Sequence, residues 1–377
     1  MTKLFIIGNG FDLAHNLKTS YIDLKNYVKK NDKHIYQQIN KQIFIGETCL
    51  WNNFEENVGT DDSYFETEFK QVVNDAYQLG LDMESGGNPL LGDVLIQTEN
   101  ADYARENEIS EYLYNSYSKF RVEELHSKFI DNLERMLSTE EQKDTVRNIF
   151  LEKYIQNKFN FITFNYTHTL ESVYNIDHEN ILYIHGELGG TGQLIFGNIN
   201  ENMTHLSPEK YIEDDHEAED YQQKVEEWNV LSEEERQFTM SPETHHDYSS
   251  HPNPNAVDYS EYVEQYNASK EDWIKEPEVD ILSEYVSNLD IKEIIVIGHS
   301  FGKVDWEYML ALDKKFKNAD WFVSVHEPKN EKGEKDEKDE KDKSDPARKN
   351  FEEIFPGKKV CFFEISNIDE VLKHLSH

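Results

Sequence analysis

The stretch Leu4-Phe5-Ile6-Ile7-Gly8-Asn9-Gly10-Phe11-Asp12 decides the fold. Four large apolar residues without polar alternation read as a strand buried on both faces, the mark of a parallel sheet covered by helices. The glycine turn that follows, and then Leu13-Ala14-His15, complete the order strand, turn, helix start. In that order Gly8 permits a tight turn and Gly10 lets a pyrophosphate approach the backbone, while the helix N-terminus favours negative charge. The third glycine of the dinucleotide fingerprint is missing, and no acidic residue stands out at the ribose-binding distance. A turn that merely packs helix on strand accounts for the same two glycines.

Working outward, short runs rich in Ile, Val and Phe predict further buried strands at Phe159 to Phe164, Ile181 to Ile184, Leu194 to Phe196, Glu293 to Ile297, Trp321 to Val325 and Val360 to Glu364. Between the first and second strands the periodicity is helical: Tyr64, Phe69, Val72, Val73 and Tyr77 share one face, as do Ile109, Leu113, Tyr117, Phe120, Leu125 and Phe129. Gly86-Gly87-Asn88-Pro89 interrupts that layer by turn chemistry. The pattern predicts an α/β core from residues 1–20, 156–200 and 286–377. A helical insertion over 21–155 and an acidic helical or loop insertion over 201–285 interrupt it. The charge-balanced run within 329–347 contains nothing to bury and reads as a flexible loop.

Composition narrows the partners. The 377 residues include 75 acidic against 38 basic ones, a formal charge of -37, which repels extended nucleic acid. A small phosphorylated ligand is compatible, because backbone N–H groups at a helix start hold phosphate without basic side chains. Cys49 and Cys361 are too few for a four-cysteine zinc site or a disulfide framework. The histidines His245, His246 and His251 lack regular ligand spacing, so no metal is expected. No stretch approaches the roughly 20 apolar residues of a membrane span, and Met1-Thr2-Lys3 runs directly into the first strand. The expectation is a cytoplasmic protein away from membranes.

Three further strand ends carry candidate chemistry. Phe164-Asn165-Tyr166-Thr167 places an amide where an α/β sheet presents its ligand crevice, although Asn165 is equally suited to cap the helix that follows. Ile184-His185-Gly186 places an imidazole at a strand end, suited to general base work or to a purely structural role. Ile297-Gly298-His299-Ser300-Phe301-Gly302, with Asp305 after it, is a second glycine turn. Taken literally it is also the G-x-S-x-G nucleophile elbow of serine hydrolases, with Ser300 as nucleophile. That alternative requires an acid and then a histidine downstream, where only His326, His374 and His377 remain, and it leaves the N-terminal glycine turn unused.

Together with Thr19-Ser20-Tyr21 and Trp51-Asn52-Asn53-Phe54-Glu55, these segments resemble the bacterial AbiH family of phage abortive-infection proteins along nearly the whole chain. That family in turn resembles the sirtuin-like, Rossmann-type NAD-binding fold of antiphage NAD hydrolases. The resemblance implies a pyrophosphate cradle at Gly8, Asn9 and Gly10 with Asp12 nearby, catalytic Asn165 and His185, and a late turn (Gly298, Ser300, Asp305) near the adenosine ribose. It implies NAD as substrate and an effector that cleaves the nicotinamide–ribose bond, His185 drawing a proton and Asn165 fixing a water. The missing four-cysteine module speaks against protein deacylation. A non-catalytic sensor of NAD or ADP-ribose, signalling through its helical insertion, is the alternative of another class. Because an unregulated NAD hydrolase would kill its host, gating of the hydrolase by the acidic insertion, by oligomerisation or by a phage-derived trigger is expected, with a defence partner or a second copy of the chain as the expected macromolecular partners.

Overall fold

The computed structural model describes residues 2–42, 51, 54–58, 60, 71, 123–143, 145–199, 260–326 and 345–372. Cys49, the turn Gly86-Gly87-Asn88-Pro89, the predicted helical faces at 64–77 and 109–120, the acidic segment with its three histidines, the charged run at 329–344 and His374 lie outside the described residues. The chain divides into two compact units, one comprising Met1–Thr60, Leu125–Met203 and Trp273–His377, the other Asp61–Glu124 and Thr204–Asp272.

In the first unit six strands form one parallel sheet: β1 (Thr2–Ile7), β2 (Asn160–Thr163), β3 (Ile181–Tyr183), β4 (Ile291–Ile297), β5 (Asp320–Ser324) and β6 (Val360–Phe363). Their order is β3-β2-β1-β4-β5-β6, the doubly wound arrangement of Rossmann-type folds, whose strand order reverses between β1 and β4. Described helices of this unit are α1 (Asn9–Ala14), α2 (Tyr21–Asn31), α3 (Lys33–Gln42), α4 (Phe54–Asn57) and α5 (Glu123–Glu141), whose first two residues fall in the other unit. Next comes α6 (Thr169–Tyr174). The second unit contributes α7 (Ser260–Glu271), where the Lys270 ammonium lies 4.8 Å from the Tyr266 ring centroid. After it the first unit resumes with α8 (Val279–Tyr285), α9 (Trp306–Lys315), α10 (Pro346–Ile354) and α11 (Ile368–Leu372).

Strand periodicity explains the two cores. Leu4 and Ile6 of β1, with Ile294 and Val296 of β4, face Leu282 of α8, Tyr308, Met309 and Leu312 of α9, and Phe351 of α10. Phe5 and Ile7, with Ile295 and Ile297, face the other way onto Phe11, Leu170, Tyr174, Ile368 and Leu372. A strand apolar at every position therefore needs helices on both sides. Local chemistry fixes helix starts: Ser20 and Asp23 form a reciprocal capping box on α2, and Asp345 caps α10 just ahead of Pro346.

The strand predicted at Leu194 to Phe196 does not form. This segment is irregular, its Ile195 N–H donating to the His185 carbonyl and its Ile195 carbonyl accepting from the Tyr166 hydroxyl. Phe196 is buried among the rings of Phe54, Phe129 and Trp273. Apolarity here serves an aromatic cluster rather than a ladder.

Candidate functional site

The carboxyl ends of β1 and β4 meet through backbone. Gly8 N–H donates to Ile297 O and Gly10 N–H to Gly298 O, the latter at 2.8 Å. A Cβ on Gly10 would stand 2.7 Å from the Gly298 Cα, and one on Gly298 would stand 2.3 Å from the Phe11 nitrogen. Gly298 also has φ +68°, a left-handed conformation that favours glycine. Close approach of the two turns is thus a sufficient reason for these glycines. Asn9 points its side chain outward, accepting from the Thr19 hydroxyl at 2.6 Å.

Behind that junction lies the first polar group. Asp12, buried in α1, accepts from the hydroxyls of Thr167 (2.6 Å) and Thr169 (2.8 Å). Burial nevertheless dominates these donors and pushes its carboxyl up to about 6. The Asn165 amide donates to Gly8 O at 3.2 Å, while its buried Oδ1 has no hydrogen-bond partner among the described residues. Asn165 does not cap α6; the residue flanking that helix is His168. The sheet therefore brings Gly8, Asp12 and Asn165 together.

The second group centres on Asp305, in the turn between β4 and α9. Lys275 Nζ donates to its Oδ1 at 2.9 Å and lies 3.7 Å from Glu55 Oε1. His299 Nε2 stands 3.2 Å from Asp305 Oδ2. Because His299 Nδ1 accepts from the Phe301 N–H at 3.0 Å, its neutral form carries the proton on Nε2, towards the carboxylate. That N–H is aimed by Phe301 itself, which adopts φ +57°. Such strain needs compensation, and two donors supply it: Trp306 Nε1 to Phe301 O and Asn350 Nδ2 to Ser300 O, both at 2.9 Å.

His185 completes the group from the end of β3. Its Nε2 lies 3.4 Å from Asp305 Oδ1 without hydrogen-bond alignment, and Phe164 and Tyr308 pack on its ring. Burial, then the neighbouring Lys275 charge, lower its imidazole to about 4 against the pull of Asp305, so it is neutral near pH 7. Burial alone would raise Asp305, but Lys275 and the two imidazoles hold it well below the usual carboxylate range. Burial likewise opposes the Lys275 charge, yet Asp305 and Glu55 keep it above the ordinary lysine range. Glu55 is raised by burial in spite of Lys275, and the buried hydroxyl of Tyr21 bonds to it.

Of the residues singled out in the sequence, His185 and Asp305 meet in this second group, and Asn165 belongs to the first. Ser300 is exposed and, among the described residues, forms no hydrogen bond with a histidine. Both nitrogens of neighbouring His299 are engaged elsewhere, and the left-handed residue of the turn is Phe301 rather than the serine. Lys275 was not foreseen, since an isolated lysine in an irregular segment has no local signature. Glu55 and Tyr21 lie within the segments that carried the resemblance, and proximity in the fold is what gives them a role.

These features define a Rossmann-type α/β protein with a buried ammonium–carboxylate–imidazole centre at the point where its strand order reverses. The chain belongs to the bacteriophage abortive infection AbiH family, which it matches over residues 4–325. Its role is accordingly in phage abortive infection. No curated protein and no solved structure matches the chain. Among the described residues, no helix is long and apolar enough to cross a membrane.

Proposed function

We propose that the protein binds NAD at the carboxyl edge of its sheet and hydrolyses the bond between nicotinamide and ribose. One observation carries this reading. The two side chains that the sequence nominates for catalysis, Asn165 and His185, sit at adjacent strand ends, Asn165 with a buried Oδ1 that has no hydrogen-bond partner among the described residues and His185 with its Nε2 beside Asp305. Native interiors rarely leave such atoms unpaired, and functional sites are a common exception. Asn165 reaches Gly8 O at the end of β1 and His185 reaches Asp305 after β4, beside the switch point where doubly wound sheets take dinucleotides.

The chemistry follows from the side chains. With Nε2–H turned to Asp305, His185 keeps its lone pair on Nδ1, which makes no hydrogen bond among the described residues. As the glycosidic bond breaks, nicotinamide leaves with the electron pair and C1′ develops oxocarbenium character. Water oxygen then bonds to C1′ and its proton passes to His185 Nδ1, the imidazolium being stabilised by Asp305 before release to solvent. Asn165 Oδ1 accepts from the attacking water or a ribose hydroxyl. A positioned base of this kind contributes roughly 10²- to 10⁴-fold.

A second reading, a sensor that binds NAD or ADP-ribose without cleaving it, draws support from the burial of His185, His299, Asp305 and Lys275. Nicotinamide release from NAD by the purified protein separates the two. The hydrolase is expected to lose release in His185→Ala and Asn165→Ala; the sensor is expected to be stabilised by NAD with no product formed. In a defence effector, such activity is held back until a phage-derived trigger or a partner relieves it.

A further inference from the structure

A separate polar cluster lies beside β3, the edge strand. His168 immediately precedes α6, Glu171 is in that helix's first turn, and Glu187 follows β3; one ligand atom from each lies within 4.8 Å of the others. His168 Nε2 stands 3.4 Å from Glu187 Oε2. His178, in the turn before β3, places Nδ1 3.3 Å from Glu171 Oε1 and 3.6 Å from Glu187 Oε2. For bonds of about 2.0–2.2 Å, the edge of a tetrahedral zinc shell is about 3.4 Å. The three separations of 3.4, 3.3 and 3.6 Å match that edge.

The atoms that face away are held as well. His168 Nδ1 lies 3.1 Å from Glu141 Oε1, at the end of α5, and the same oxygen accepts from the His168 backbone N–H. Tyr183 of β3 donates its hydroxyl to Glu171 Oε2 at 2.6 Å. Metal-binding imidazoles are characteristically fixed through the second nitrogen by a carboxylate, and ligating carboxylates through their second oxygen. Ion pairing accounts for His168 between two glutamates; Glu187 Oε2 facing two imidazole nitrogens, beside a Glu171 oriented by a tyrosine, also has the arrangement of a metal shell.

We propose that His168 Nε2, Glu171 Oε1 and Glu187 Oε2, with His178 Nδ1 as an adjustable fourth ligand, bind a first-row divalent cation, zinc foremost. Imidazole with carboxylate suits that class, whereas magnesium and calcium favour shells of oxygen alone. The side chains are one-quarter to one-third exposed at His168 and Glu187, so the cation has an approach. The expectation of no metal rested on regular ligand spacing along the sequence, whereas positions 168, 171, 178 and 187 converge only through the β2-α6-β3 crossover. The bound ion joins the end of α5, the start of α6 and the segment after β3.

The test uses the full chain stripped with a chelator. Titration with Co²⁺ is expected to give visible d–d absorption saturating at one equivalent, displaced by Zn²⁺, and calorimetry with Zn²⁺ is expected to give the same stoichiometry. His168→Gln and Glu187→Gln should each abolish both signals while leaving the metal-free far-ultraviolet circular dichroism unchanged. Glu141→Gln should weaken Zn²⁺ binding about 10- to 100-fold. Should His168→Gln misfold, Glu171→Gln supplies the same readout. Absence of saturable binding, or one-equivalent binding that persists in the folded variants, overturns the assignment.

Discussion

Lys275 Nζ lies 2.9 Å from Asp305 Oδ1, with the lysine side chain wholly buried. Two charges removed from water hold one another in the ionised state, and Asp305 passes that constraint to His185 and His299. Removing one partner strands the other, at a cost of about 3–5 kcal/mol, whereas removing both relieves much of it. Lys275→Met is therefore expected to lower the unfolding free energy by that amount in urea titrations. Lys275→Met combined with Asp305→Asn should cost clearly less than the sum of the two single changes. Additive costs would show that the pair is not coupled.

Two buried groups give stability opposite dependences on pH. The folded-state pKa of Asp12, about 6, lies above its unfolded value of 3.8, so its contribution is fully present below pH 3.8 and is lost as pH rises through 6. His185, at about 4 against 6.5 unfolded, contributes above pH 6.5 and loses that contribution as pH falls through 4. Asp12→Asn should gain on the parent between pH 4 and 7.5, by on the order of 3 kcal/mol. His185→Gln should flatten the acid limb. Stability curves parallel to the parent across this range would contradict both assignments.

Gly298 and Gly10 test packing at the junction. Gly298→Ala places a Cβ 2.3 Å from the Phe11 nitrogen and imposes a left-handed conformation on alanine. The expected loss is at least the roughly 1–3 kcal/mol of an overpacked site, measurable by urea unfolding without nucleotide. Gly10→Val, for the same reason, cannot report on ligand binding unless the folded fraction is measured beside it. An undiminished stability in Gly298→Ala would mean that the turns do not abut.

Ser300 separates the hydrolase classes. A fluorophosphonate probe is expected to leave Ser300 unlabelled, and Ser300→Ala should retain nicotinamide release within about twofold, well below the 10²-fold scale of a lost catalytic group. Covalent labelling at Ser300 would revive the serine nucleophile.

The fold was legible wherever burial and pairing coincide. Leu4 to Ile7 and Ile294 to Ile297 are apolar because helices cover both faces, and each lies in the sheet. Leu194 to Phe196 misled because a run buried by aromatic side contacts has the same composition as a strand. The glycine turns were placed correctly at strand ends, but a single sequence cannot distinguish a glycine that admits phosphate from one that admits another backbone. At the site, Asp305 and His185 stood out by position, each following a strand. Lys275 did not, since its partner lies 30 residues away and only the return of the chain to the sheet brings them together. The His168 cluster was hidden for the same reason.

The most direct test of the account is a time course of purified protein with NAD, following nicotinamide and residual NAD together. Equimolar nicotinamide release with NAD loss, abolished in folded His185→Ala and Asn165→Ala, is the predicted result. NAD that binds and stabilises the protein yet remains intact, or release that persists unchanged in both variants, would contradict it.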